Sequence, residues 1–163
     1  MSQELHQAAI DLIVNEGAYL DQKEWDQWLN LYTEDAEYWI PAWDDEYTVT
    51  DDPNTQLSLI YYGARSGLED RVFRLKTERS LASTPLPRTT HMTTNYRFEP
   101  QASGDLKVLS SWTTHSYKLK VASYFFGQQA HLIRQTEDGL KIAARKIIVM
   151  NDMIANVMDI YSV

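Results

Sequence analysis

The side chains able to do chemistry in this 163-residue sequence are four histidines, 23 acids, five tryptophans and ten tyrosines, with no cysteine among them. His6, His91, His115 and His131 show neither HxH nor HxxxH spacing. Without cysteine there is no thiolate nucleophile, disulfide, zinc-thiolate site or cysteine-held iron–sulfur cluster. GxGxxG, GxxxxGK[ST] and GxSxG are also absent, which removes support for a nucleotide cradle or a serine elbow. An iron site of two histidines and a carboxylate would have to be assembled from distant segments, and no spacing marks one.

His91 is the histidine with the most distinctive setting, the threonine-rich run RTTHMTTN at residues 88–95. Two roles compete for it. Paired with Asp35 at the apolar mouth of a cone-shaped domain, it would form an acid-base dyad for a dehydratase or isomerase. Alternatively it is an interface or fold-stabilising side chain, with Arg88, Asn95 and Arg97 as polar company, and this is the reading adopted. A third possibility is an aromatic-ligand-binding module built on the tryptophans and tyrosines. Trp25 and Trp28 stand at helical spacing and are expected in the core, whereas Trp43, beside the acids of a long loop, is a candidate for burial by a partner.

The elements that must position these residues change character along the chain. Leu5, Ala8, Ala9, Leu12, Ile13, Tyr19 and Leu20 lay one apolar stripe along a first helix. Asp21 and Glu24 have the spacing of a capping box before a short second helix bearing Trp25, Trp28, Leu29 and Tyr32. AEYWIP reads as a strand running into the acidic loop AWDDEYTVTDDPNTQ, and LSLIYYG as a brief extended piece. Ser66 and Glu69 suggest a further capping box, opening a third helix with Leu68, Val72 and Leu75 inward and an end near Ser80. From Arg88 the period becomes two, which places Met92, Thr94, Tyr96 and Phe98 on one face and His91, Thr93, Asn95 and Arg97 on a polar one. ASGD and EDGL carry hairpin chemistry between β-rich runs at Leu106 to Val121, Tyr124 to Gln135 and Leu140 to Met150.

Helices followed by a meander, without βαβ alternation or repeats, imply a single α+β domain over residues 1–163, its N-terminal helices packed on a curved antiparallel sheet. Apolar residues of both parities, Leu109 and Tyr117 against Val108 and Trp112, call for a second cover over the sheet, and another chain is the obvious source. A chain of 163 residues with 44% hydrophobic content fits one domain, and at that length it could bury about 68–70% of the unfolded chain's surface. Fifteen Lys and Arg against 23 acids, a net charge of −8, disfavour nucleic acid and anionic membrane as partners. The first twenty residues lack a basic leader and a long apolar run, and the missing cysteines suit a reducing compartment, so a cytoplasmic location is expected. Ten acids and no Lys or Arg lie between Glu24 and Ala64, while Arg65 to Arg79 holds five basic residues and three acids. Such a block is a solvated surface or a docking surface for another chain.

EWDQWLNLYTEDAEYWIPAWDD, GLEDRVFRLKTERS, RTTHMTTN and AARKIIVMNDMIANVMDIYSV, in this order, resemble the small, or beta, subunit of Rieske-type aromatic-ring-hydroxylating dioxygenases. Many members carry arginine at the position of Thr90. The threonine, with PAWDD and LSLIYYGARSGLEDRVFR, resembles the benzoate, toluate and anthranilate 1,2-dioxygenase branch. The resemblance implies a cystatin-like cone fold, akin to scytalone dehydratase and ketosteroid isomerase. It also implies a trimer of these subunits beneath three large alpha subunits, an alpha3beta3 hexamer. The Rieske [2Fe-2S] cluster and mononuclear Fe(II) are then expected in the alpha subunit, with no catalytic, cofactor or metal residue in this chain. A Rieske centre needs two cysteines, which this chain lacks. The expected role is a structural, non-catalytic subunit of an NADH- and O2-dependent oxidoreductase acting on an anthranilate- or benzoate-type carboxylate in aromatic catabolism.

Overall fold

A computed structural model describes residues 2–78, 83–151, 154 and 157–163. Helix α1 (Gln3–Gln22) is capped by Ser2, whose hydroxyl accepts from the Leu5 N–H, and closes with Lys23 in the left-handed region. Of the expected stripe, Ala9, Leu12, Ile13 and Leu20 are buried, Leu5 and Tyr19 are partly buried and Ala8 is exposed, while Glu16 is buried in the same row. Helix α2 (Trp25–Leu29) puts both tryptophans inside. Strands β1 (Tyr32–Pro41) and β2 (Ser58–Tyr62) flank the acidic loop, and α3 (Arg65–Lys76) buries Leu68, Val72 and Leu75. Four long strands complete the order: β3 (Arg88–Pro100), β4 (Leu106–Lys118), β5 (Val121–Thr136) and β6 (Gly139–Val149).

The six strands form one sheet in the order β2-β1-β6-β5-β4-β3. All neighbours are antiparallel except β1 and β6, so the sheet is mixed rather than wholly antiparallel. β1 precedes the meander and runs alongside its last strand, an arrangement that no local pattern encodes. The helices cover one face, where Trp28, Tyr32, Tyr38, Val108, Ile133, Ile142 and Ile147 join Ile13 and Leu20 in a single core.

Neither expected capping box forms. Asp21 lies inside α1 and directs its carboxylate to β3, while the Glu24 side chain makes no capping bond to the backbone of α2. α3 starts after Ala64, and Glu69 pairs with Arg65 at 2.9 Å. α3 ends at Lys76; the expected end near Ser80 lies outside the described residues. The β4–β5 turn falls at Leu119 and Lys120, both at positive φ, rather than at residues 122–123.

In β3 the structure overturns the expected faces. The register slips between Thr94 and Arg97, and Asn95 takes φ 60°, the signature of a bulge. One extra residue reverses parity. Before the bulge, His91 and Thr93 share a face with the buried Thr114 and Trp112 across the strand pair; after it, that face passes to Phe98, opposite Val108. Met92 and Arg97 share the outward face instead.

Candidate functional site

The mouth of the core is closed by His91, which the sequence reading placed on a polar face. Gly17 of α1 makes this possible: a Cβ there would lie 2.9 Å from the His91 Cβ, so only glycine lets helix and strand approach this closely. Asp21, one turn further along α1, accepts from the Thr89 hydroxyl at 2.8 Å, from the His91 main-chain N–H at 3.0 Å and contacts His91 Nδ1 at 2.5 Å. On its other side His91 Nε2 lies 3.2 Å from the Val163 carbonyl. Burial alone would raise the Asp21 carboxyl, and the bonds from His91 and Thr89 outweigh that and hold it below its usual range. His91 therefore ties helix, sheet and C-terminal segment together.

Asp35 plays no part in this. It is exposed on β1, bonded to Thr33 and Arg134, so the dyad that a dehydratase would need is not assembled. Nor do the expected companions surround His91. Arg88 faces outward with its guanidinium 5.2 Å from the Tyr117 ring centroid, Asn95 occupies the bulge with Nδ2 3.4 Å from Ser111 Oγ, and Arg97 is exposed beyond it. The bulge and the alternation of the strand separate all three from His91. Trp43 is half-buried by the chain itself: its indole N–H donates to the Val149 carbonyl at 2.8 Å, and it bridges Val49 across the acidic loop.

The densest polar constellation escaped the sequence reading. Glu16 of α1 is 2% exposed and accepts from the Tyr32 hydroxyl, from Arg145 Nη1 at 3.2 Å and from His131 Nε2 at 2.8 Å. Arg145 also donates to Gln129 Oε1, whose amide reaches Ser110. Burial would raise the Glu16 carboxyl, but Arg145, helped by His131 and Tyr32, outweighs it and holds the group down at about 2. Burial lowers His131, so it sits neutral with Nε2–H donating; the charge balance for Glu16 comes from Arg145, whose own ionisation is pushed further up. The same burial, with the Glu16 charge, raises the Tyr32 hydroxyl well above its normal range. Two signals in the sequence mark this cluster: Glu16 interrupts the apolar stripe of α1, and His131 and Arg145 stand at inward positions of strands whose other inward residues include Ile133, Ile147 and Val149.

An acid, a histidine, an arginine and a tyrosine inside a cone could serve general acid-base catalysis if a substrate reached them. Here nothing of substrate size fits. The void bounded by Glu16, Thr114, Arg145, His91 and Val163 measures about 10 Å³, roughly one water, whereas small-molecule pockets run to about 300–1,000 Å³. The larger hollows open on the outer sheet face and beside the β4–β5 turn. Metal chemistry finds no better footing in the donor set. The chain has no cysteine, and among the described residues no three His, Asp or Glu side chains converge as ligands. A chain without cysteine does not fit a Rieske cluster, and the described residues offer no ligand set for a mononuclear iron. Among the described residues no helix is long and apolar enough to cross a membrane.

The comparisons with known proteins bear on the fold and on the family. An NTF2-like protein with a cystatin-like fold from Novosphingobium aromaticivorans superimposes with a TM-score of 0.60 at 12% identity, over 90% of this chain and 82% of that one. The two share the fold alone. The crystal structure of the beta subunit of benzoate 1,2-dioxygenase from Burkholderia mallei gives a TM-score of 0.80 at 38% identity, covering 100% of this chain and 98% of that one. The beta subunit of toluate 1,2-dioxygenase from Pseudomonas putida is 44% identical over 158 residues, 97% of this chain and 98% of that protein. The small subunit of anthranilate 1,2-dioxygenase from Acinetobacter baylyi is 39% identical over 163 residues, the full length of both. A family model described as the ring hydroxylating beta subunit matches residues 15–156. The chain belongs to that family of ring-hydroxylating beta subunits.

Proposed function

We propose that this chain is the small, non-catalytic subunit of an aromatic-ring 1,2-dioxygenase acting on a benzoate- or anthranilate-type carboxylate. The observation that carries this reading is identity near 40% over essentially the whole chain to small subunits of enzymes of that class. The ionised cluster around Glu16 supports the non-catalytic half, since the void beside it holds only about 10 Å³. Under this reading the Rieske cluster and mononuclear iron reside in the large subunit, and three small subunits assemble beneath three large ones. The small subunit's contribution is shape: a rigid sheet whose outer face, with Met92, Tyr117, Tyr124 and Phe126 exposed, is available for burial by other chains. Obligate interfaces of this kind bury roughly 2,000–5,000 Å² in total.

Co-expression with the large subunit tests the proposal. Native mass measurement is expected to show a stable complex of both chains in three copies each, with all iron accounted for by the large subunit. The isolated chain is expected to bind no iron and to oxidise no aromatic carboxylate. A lone monomer that ignores the large subunit, or iron bound to this chain alone, would refute it.

A further inference from the structure

On the outer sheet face, four residues lie in one straight row across four strands. Arg97 on β3 pairs with Leu109 on β4, Leu109 with Ala130 on β5, and Ala130 with Lys146 on β6. Three strand spacings set the two cations about 14 Å apart at the backbone. The small Ala130 leaves a dip between them, a hollow of about 110 Å³ that Ser111 and Gln128 also line. It is the bulge at Asn95 that turns Arg97 outward to one end of this row.

Among the described residues neither cation is matched by an acid. Arg65, Arg71, Lys76, Lys107, Arg134 and Arg145 each meet a carboxylate of this chain. Among the described residues Arg97 and Lys146 meet none; the Lys146 ammonium rests 4.4 Å from the centroid of the Trp39 ring. In a chain with 23 acids and a net charge of −8, a two-cation row facing outward over an uncharged hollow is positioned for an anion from outside. The guanidinium fork suits a carboxylate, and the hydroxyl and amide of Ser111 and Gln128 add hydrogen-bonding groups at its edge.

We propose that this row is a recognition site for an acidic side chain, aspartate or glutamate, presented by a partner polypeptide. The size of the hollow favours a partner's side chain over a free ligand, because about 110 Å³ is well below the space a small-molecule site encloses. The proposal rests on the reading of the chain as an assembled subunit, since only burial by a partner would strengthen an ion pair at so open a place.

The test compares the wild-type chain with Arg97→Glu/Lys146→Glu and Arg97→Gln/Lys146→Gln, each co-expressed with the large subunit. Both side chains point away from the core, so the isolated variants are expected to melt within a few degrees of wild type. The charge reversal is expected to weaken assembly by at least about tenfold in native-mass titrations. The neutral variant is expected to weaken it less and to flatten its dependence on salt. Unchanged assembly by the charge-reversed chain at low salt overturns the site. So does a rise in melting temperature of the isolated wild-type chain with sodium benzoate that the variants lose, because the hollow would then serve a free carboxylate. Should the wild-type chain itself form no complex, the subunit reading fails first, and that result is distinct from a complex that tolerates the reversal.

Discussion

Glu16 shows how one residue can govern the interior. Replacing it with glutamine leaves Arg145 as a buried charge without its counter-ion, which costs about 3–5 kcal/mol. Arg145→Met strands Glu16 in the same way, and the double variant Glu16→Gln/Arg145→Met is expected to cost less than the sum of the two singles. Urea denaturation of the four chains measures this coupling, and strict additivity would argue against the pairing. The sign of the pH dependence follows from the direction of the shift. The Glu16 pKa falls from 4.5 to about 2 on folding, so its stabilisation is complete above about pH 4.5 and drains away as the pH falls toward 2. Asp21, lowered from 3.8, acts in the same sense, and His131, lowered from 6.5, adds a loss that begins at higher pH. Wild type is therefore expected to lose more stability than Glu16→Gln between pH 4.5 and 2.5; parallel curves for the two would contradict the assignment.

At the scale of elements, the contact of α1 with β3 depends on two backbone choices, Gly17 and the Asn95 bulge. Gly17→Ala brings a methyl to 2.9 Å from His91 Cβ and is expected to cost about 1–3 kcal/mol through overpacking, which exceeds the ~1 kcal/mol that alanine returns in helix propensity. At Asn95, φ 60° predicts that glycine is tolerated while the β-branched Asn95→Val loses about 1–2 kcal/mol; equal melting temperatures for the two variants would mean that the bulge is not held there. The bulge also marks what could be read from the sequence. The α1 stripe, the burial of Trp25 and Trp28 and the Gly104 and Gly139 turns follow from local periodicity and turn chemistry, and all are present. An alternating strand looks the same on paper with or without one extra residue, so the inward turn of His91 was hidden. The Glu16 cluster was hidden for a different reason. Its bonds span 115 and 129 residues, and three polar residues at inward positions become a site only once α1, β5 and β6 are stacked. The parallel pairing of β1 with β6 belongs with these long-range features.

For the molecule as a whole, the packed interior of the cone is tied together from several elements. His91 is bonded on one side to α1 and on the other to the segment that ends in Val163, and that segment is held again at Asp159 by Arg71 and Ser83. Its Ile160 and Val163 side chains are fully buried in the core. Under the proposed reading, a residue placed there acts on the reaction only through the stability and shape of the assembly. His91→Ala is expected to cost about 2 kcal/mol in lost hydrogen bonds to a charged partner, seen as a fall of roughly 4–8 °C in melting temperature for a domain of this length. Any loss of activity should follow loss of complex, with iron content per large subunit and turnover per intact complex unchanged. Melting curves, native mass and metal analysis on the same His91→Ala preparation separate the possibilities. A variant complex that is intact and fully metallated yet slow would place His91 in the reaction path and overturn that reading.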